Sequence, residues 1–351
     1  MREVAIVSYV QSPQVRDAGG ANEVEMLLPV ISQVREQVGL TQQDIDFTCS
    51  GSCDYLQGAA FAFVSGVDAL GVVPPIKESH VEMDAAWALY EAWLKIQMGH
   101  ADTALIYGFG KSSPGELPTI LSLQLDPYYV APLWPDTISL AALQARSLLD
   151  KGVVTEQQMA EVVSNSRANA KNNPNAQLKG DYSVEQLLAE DTYLSPLRKH
   201  DCAPITDGAS AIIIASMDKA KQLCKRPVAI RGIDHCIESA NLGARDLTIS
   251  ESTQIAAERA GVAAANVDIA ELHAPFSHQE LVLKQALGLD ESVQINLSGG
   301  ALAANTMMAA GLDRIGSAAT QIMQGGAGCA VAHATSGACL QQNLVTVLEG
   351  V

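Results

Sequence analysis

A layered α/β architecture is predicted by two observations. Short apolar strand signals alternate with amphipathic helical signals, and the chain repeats parts of itself at a nearly constant separation. Val4-Ala5-Ile6-Val7 reads as a buried strand, and residues 23–38 read as an amphipathic helix that Gly39 ends. Phe47-Thr48-Cys49-Ser50-Gly51 reads as a short strand running into a turn. Residues 83–99 form a strong helical pattern, with Trp87, Tyr90, Ala92 and Leu94 among its apolar positions and Gly99 as its stop. Residues 103–108 give the strand that follows.

The repeat has two parts. Residues 39–46 resemble 261–268, a separation of 222, and residues 99–106 resemble 325–332, a separation of 226. Two independent pairs with nearly equal spacing imply two pseudo-equivalent βαβ halves, one starting near Val4 and the other near Val228. The expected organisation is a first half of residues 1–124 plus 194–222, a second half of residues 223–351, and an inserted cap of residues 125–193. The cap opens on Asp126-Pro127-Tyr128-Tyr129-Val130-Ala131-Pro132-Leu133-Trp134-Pro135, and helical patterns at 139–151 and 155–172 follow. Those aromatic residues either line an apolar pocket or pack the cap onto the core.

Composition narrows the function. The 351 residues are 48% hydrophobic and 17% charged, enough to bury a large core. A net charge of -17 and a pI near 4.7 argue against nucleic acid and anionic membranes. An anionic small ligand stays possible, since it needs only local cations and helix N-termini. Seven scattered cysteines, an odd count, and no basic-then-apolar leader predict reduced thiols in the cytoplasm. Cys49 and Cys53 lack a second pair at zinc spacing, so no metal is expected. The most apolar stretch, residues 58–75, is interrupted by Asp68 and ends at Pro74-Pro75, so no membrane insertion is expected.

Two segments carry the chemistry: Pro196-Leu197-Arg198-Lys199-His200-Asp201-Cys202-Ala203-Pro204-Ile205-Thr206-Asp207-Gly208 and Glu271-Leu272-His273-Ala274-Pro275-Phe276-Ser277. With the Gly-rich run Ser298-Gly299-Gly300 and the segment around His333, they resemble the signature segments of the thiolases, over nearly the whole chain. The resemblance is strongest to the sterol-carrier-protein type and to the lipid-transfer thiolase-like proteins of bacterial steroid catabolism. It implies a five-layered αβαβα thiolase fold with an inserted loop domain, a dimeric core, and an acyl-CoA thioester ligand. Coenzyme A would enter as part of the substrate, with no prosthetic group.

The departures from that pattern are informative. A thiolase passes an acyl group through a cysteine thioester, yet no cysteine lies between Cys53 and Cys202. Met83-Asp84-Ala85-Ala86 stands where the resemblance places the nucleophile and offers no thiol or hydroxyl. Asn305-Thr306-Met307 replaces the Gly-His-Pro that supplies the activating base. Histidine occurs instead at His273, where biosynthetic thiolases carry Asn, and at His333, where they carry the second cysteine. Tyr107 is the counterpart of His333 in the internal repeat.

His273 and His333 are therefore the candidate catalytic residues, since imidazole relays protons near neutral pH. Which is base and which is donor stays open. Gly300 and Gly337 are candidate oxyanion sites, and Asn305, Phe276 and Asp84 are candidate substrate-binding residues. Asp84 at a helix start also reads as an ordinary cap. Cys339 is the alternative displaced nucleophile, with Cys49 behind it, although an inert buried thiol is the simpler reading of Cys339. His278 and Glu280 are expected to face outward or to cap their helix.

The departures favour carbon–carbon bond cleavage without an acyl-enzyme, and the resemblance implies a retro-aldol lyase acting on a β-hydroxyacyl-CoA such as a steroid side-chain intermediate. The resemblance also implies a heteromeric complex with a small OB-fold/zinc-ribbon protein. An acyltransferase with a displaced cysteine, and a non-catalytic acyl-CoA-binding or scaffold subunit, are the alternatives.

Overall fold

The computed structural model describes residues 2–71 and 76–351; Pro74 and Pro75, read above as the end of the apolar stretch, lie outside them. The first half contributes β1 (Val4–Gln11), β2 (Phe47–Gly51), β3 (Glu78–Val81) and β4 (Thr103–Gly110). A small hairpin of β5 (Thr192–Leu194) and β6 (Leu197–Arg198) stands apart from the main sheet, and β7 (Gly208–Ser216) completes the first half. The second half contributes β8 (Val228–Ile237), β9 (Ile269–Leu272), β10 (Gln294–Ile295), β11 (Cys329–Ser336) and β12 (Gln342–Gly350).

The strand order is β10-β9-β11-β12-β8-β1-β7-β4-β2-β3. Numbered within its own half, each side reads third, second, fourth, fifth, first, so the two halves share one topology. In each, the fifth strand (β7 or β12) runs antiparallel to its neighbours. The halves meet where β1 and β8 pair antiparallel over two residue pairs, Ala5 with Ala229 and Ile6 with Val228. The bounds of β4 and β11 coincide residue for residue at the separation of 226 found in the sequence.

Two central helices, Ala85–Gln97 and Ala310–Met323, pack against each other between the two half-sheets. The second is rich in small residues, as a helix that fits between sheets needs. Gly316 lies against the ring of Tyr9 with no room for a Cβ. The helix Glu23–Glu36 covers the outer face of the first half and Glu251–Ala260 that of the second, which gives five layers. Period-two alternation separates the cores. Ala330, Ala332 and Ala334 of β11 join the central cluster, whereas Val331 joins the outer one.

Helix starts follow local chemistry. Asn22 and Glu25 form a capping box at Glu23, and Thr155 and Gln158 form another at Glu156. The cap helices lie at Thr137–Asp150 and Glu156–Asn169. Its aromatic opening neither lines an enclosed pocket nor packs on the core: Tyr128, Tyr129, Leu133 and Trp134 are all exposed, and Val130 alone of that stretch is buried, against Leu140 and Cys339. Among the described residues no helix is long and apolar enough to cross a membrane.

Candidate active site at the central helix N-termini

The motif segments meet in space. Cys202 bridges to Phe276, Ala203 N–H donates to the Pro275 carbonyl (2.8 Å), and Thr206 bridges to Thr306. The segments 202–206, 271–277 and 298–307 therefore form one wall beside the start of the second central helix.

His273 follows β9, on the face shared with Glu271, and points toward the central layer; Ala270, Leu272 and Ala274 point to the outer one. Its Nε2 lies 2.9 Å from Asn305 Oδ1, and its Nδ1 accepts the backbone N–H of Thr335 at 3.3 Å. An acceptor Nδ1 places the ring proton on Nε2, so His273 donates to Asn305. Burial pushes the imidazole pKa down to about 4, against the hydrogen bond to Asn305, which raises it. At neutral pH this ring is therefore uncharged, with Nε2–H as its hydrogen-bond donor. Asn305 is fixed in turn by its backbone N–H on Thr206 Oγ1 (3.1 Å), and Thr206 donates to Gln177 Oε1 (2.7 Å).

The structure does not bring His333 into this pocket. His333 lies on the β11 face shared with Val331, which belongs to the outer layer, so the two imidazoles point to opposite sides of the half-sheet. His333 Nε2 lies 3.0 Å from Asn343 Oδ1, and its buried Nδ1 has no partner among the described residues. Asn343 Nδ2 donates to Ser252 Oγ (2.7 Å), at the start of an outer helix, and to the Leu340 carbonyl (2.8 Å). Burial drives the His333 pKa down to about 3. Its repeat counterpart Tyr107 likewise packs in the outer cluster of the first half. The two histidines are linked through backbone alone, His273 N–H to the His333 carbonyl at 3.2 Å.

Asp84 caps both central helices. Its buried carboxylate accepts from Ala86 N–H (2.8 Å) on the first central helix and from Gly311 (2.9 Å) and Leu312 (3.1 Å) on the second. One carboxylate thus occupies both helix N-termini, where an anion would otherwise bind. Burial raises its pKa to about 6, although the three N–H bonds pull the other way.

Gly300 has φ +65°, but its N–H faces Ser298 Oγ at 3.3 Å and its Cβ position is filled by the Asn296 side chain. It serves the loop and is not a free oxyanion donor. Gly337 (φ +75°) is itself exposed, in the turn between β11 and β12. Phe276 packs into the outer cluster with Leu272 and Ala274, 6.0 Å from the His278 ring. Cys339 donates to the Leu140 carbonyl (3.4 Å) and Cys49 lies in the central core; burial pushes both thiols up to about 12. All seven cysteines are free.

The outward placement expected of His278 and Glu280 is corrected by the structure. Both are buried, His278 facing Gln144 Oε1 (3.2 Å) and Glu280 accepting from Asn296 Nδ2 (2.6 Å). The cap covers that side of the helix. Burial raises the Glu280 pKa to about 7.

A buried polar network lies beside His273. Glu271 accepts from Ser298 N–H and Oγ and lies 3.4 Å from Arg314 Nη1, which also donates to Ser298 Oγ (2.8 Å). Asp313 accepts from Tyr9 Oη (2.8 Å) and Gln14 Nε2 (2.5 Å). Asp313-Arg314, two charges inside a helix of small and apolar residues, was the signal available for these groups. Among the described residues no group of three His, Cys, Asp or Glu side chains is arranged to hold a metal.

Over 99% of its length the chain superposes on the Ltp2-ChsH2(DUF35) aldolase with a TM-score of 0.83 at 16% identity, covering 97% of that chain. Human mitochondrial 3-ketoacyl-CoA thiolase gives 0.78 at 16% identity, over 100% of this chain and 99% of that one. The chain has the thiolase fold.

Sequence similarity agrees. An acetyl-CoA acetyltransferase of Methanothermobacter thermautotrophicus is 26% identical over 304 residues, 83% of this chain and 78% of that protein. The benzoylsuccinyl-CoA thiolase subunit BbsB of Thauera aromatica is 31% identical over 153 residues, 42% of this chain and 40% of that one. Sterol carrier protein 2 of Gallus gallus is 25% identical over 62% of this chain and 43% of its own length. No family model matches. These relatives and neighbours support the thiolase superfamily for this thiolase-fold protein.

Proposed function

We propose that this thiolase-fold protein acts on acyl-CoA thioesters as a carbon–carbon lyase, cleaving a β-hydroxyacyl-CoA of lipid or steroid side-chain degradation by a retro-aldol route. The observation that carries this reading is His273 held as a neutral Nε2–H donor beside Asn305, while burial pushes the Cys202 thiol of the same wall up to about 12. In retro-aldol cleavage the β-hydroxyl loses its proton, the Cα–Cβ bond breaks to give a carbonyl product, and the electron pair moves into a thioester enolate. A donor to the thioester oxygen is what that enolate needs, and protonation at carbon completes the reaction.

His273 Nε2–H, turned from Asn305 to the substrate, is assigned that role. His333 is not assigned the proton transfer that the sequence suggested, because its ring faces away. A partner that completes the site would supply the proton acceptor, in keeping with a heteromeric complex with an OB-fold/zinc-ribbon subunit. The name of the Ltp2-ChsH2(DUF35) aldolase is compatible with both the reaction and such an assembly.

The occupation of both helix N-termini by Asp84 favours a second reading, a non-catalytic acyl-CoA-binding or scaffold subunit, because that carboxylate fills the place of an oxyanion. Mass spectrometry of products from a β-hydroxyacyl-CoA, with the chain alone and with its co-purified partner, separates the two. A shortened acyl-CoA that disappears with His273→Ala supports the lyase; unchanged turnover by the complex supports the scaffold. A covalent acyl adduct on Cys339 or Cys49 would restore the acyltransferase.

A further inference from the structure

A groove of about 440 Å³ opens on the side of the molecule where the two half-sheets part. Its floor is the C-terminal part of β1, Tyr9 to Gln11; one wall is Gln33 and Gln37, and the other is Ser317, Thr320, Gln321 and Gln324 of the second central helix. No lining residue carries a formal charge, in a chain whose net charge is -17.

The floor is an unpaired strand edge in mid-sheet. β8 pairs with β1 only at Ala5 and Ile6. The residue that would come next on β8 is Pro227, which has no N–H to donate, and its carbonyl instead accepts Val351 N–H (3.4 Å). Ser12 N–H reaches Ala209 on β7, so by alternation the main-chain groups of Tyr9 and Gln11 point away from β7 and into the groove. The Gln11 carbonyl confirms this orientation by accepting from Asn175 Nδ2 at 3.0 Å. Among the described residues no main-chain partner meets the Tyr9 N–H, the Tyr9 carbonyl or the Gln11 N–H.

We infer that this groove binds an extended peptide segment of a partner protein, which adds a short strand beside β1 in the place β8 vacates. Main-chain hydrogen bonds would give the affinity, as in other cases of strand addition. The free edge spans about three residues at about 3.3 Å each. The amide and hydroxyl walls, which donate and accept equally, select an uncharged segment rich in Ser, Thr, Asn, Gln or Gly. An acidic segment is disfavoured by the charge of the body, and a basic one finds no carboxylate in the lining.

Two measurements on the full-length protein test this. Hydrogen exchange at single-residue resolution should show fast exchange at the Tyr9 and Gln11 amides beside slow exchange at Val10 and Ser12. Equal protection of all four means the edge is already paired and overturns the proposal. A display library of uncharged heptapeptides, selected on the protein, should then yield binders that protect Tyr9 and Gln11 from exchange. Their affinity should fall at least tenfold when the central peptide amides are N-methylated, and at least tenfold on Thr320→Arg, which fills the groove away from His273. The Gln321→Arg variant guards against a folding defect in the first. No enrichment above the filled-groove variants, or binders indifferent to both changes, overturns it equally.

Discussion

Removing the Asp84 carboxylate is the most direct test of the central architecture. In Asp84→Ala, three buried N–H groups at two helix starts lose their acceptor: Ala86, Gly311 and Leu312. Leaving a buried donor unsatisfied costs about 1–3 kcal/mol, and losing a cap costs about 1 kcal/mol per helix. Against that, the variant no longer carries an ionised group whose pKa is raised by burial from 3.8 to about 6, which at neutral pH returns about 3 kcal/mol by linkage. The expected net loss at pH 7 is about 3 kcal/mol, read from urea denaturation.

The pH dependence carries the sign. A carboxyl group with a raised folded-state pKa binds its proton more tightly when folded. Its contribution is therefore greatest below pH 4 and declines as pH rises through 6. The difference between wild type and Asp84→Ala should be about 1 kcal/mol larger at pH 5 than at pH 7. A loss below about 1 kcal/mol at pH 7, or a difference that shrinks on acidification, would refute the double-cap argument.

Four further outcomes are expected. His273→Ala should lower kcat about 10²–10³-fold with a smaller change in KM, as loss of one oxyanion donor does, and no pH step in wild-type kcat/KM between 5 and 8 should trace to this residue, because its pKa lies near 4. His333→Leu should leave kcat within a few-fold on the folded protein; a drop of hundred-fold would return His333 to the mechanism. The buried neutral imidazoles of His273, His278 and His333 contribute stability that is present above their unfolded value and lost as pH falls from 6.5 toward 4. Proton uptake by the buried carboxyl groups Asp84, Glu271, Glu280 and Asp313, whose pKa values burial raises, opposes them, and between pH 6 and 5 His333→Leu should remove about 1.4 kcal/mol per pH unit from the histidine contribution to the slope. Finally, Cys49 and Cys339, with thiols near 12, hold about one thiolate in 10⁴ at pH 8, so neither should react with a disulfide reagent in the native protein within minutes.

The sequence by itself determined the layered α/β class and the doubled topology, because those follow from periodicity and from the internal repeat. It also determined that no cysteine lies between Cys53 and Cys202, which is a fact of composition along the chain. Period-two alternation, extended from Val331, even held the answer for His333, but only once the register of β11 against β9 was fixed. Tertiary structure alone decided the rest. His278 and Glu280 are buried because the cap covers a helix face that local polarity marks as exposed. Asp84 spans two helix N-termini 227 residues apart in sequence, and the tautomer of His273 is set by a backbone N–H from Thr335, 62 residues away. Such roles belong to pairs of groups brought together by folding, and a side chain's chemistry is settled by the partner it meets.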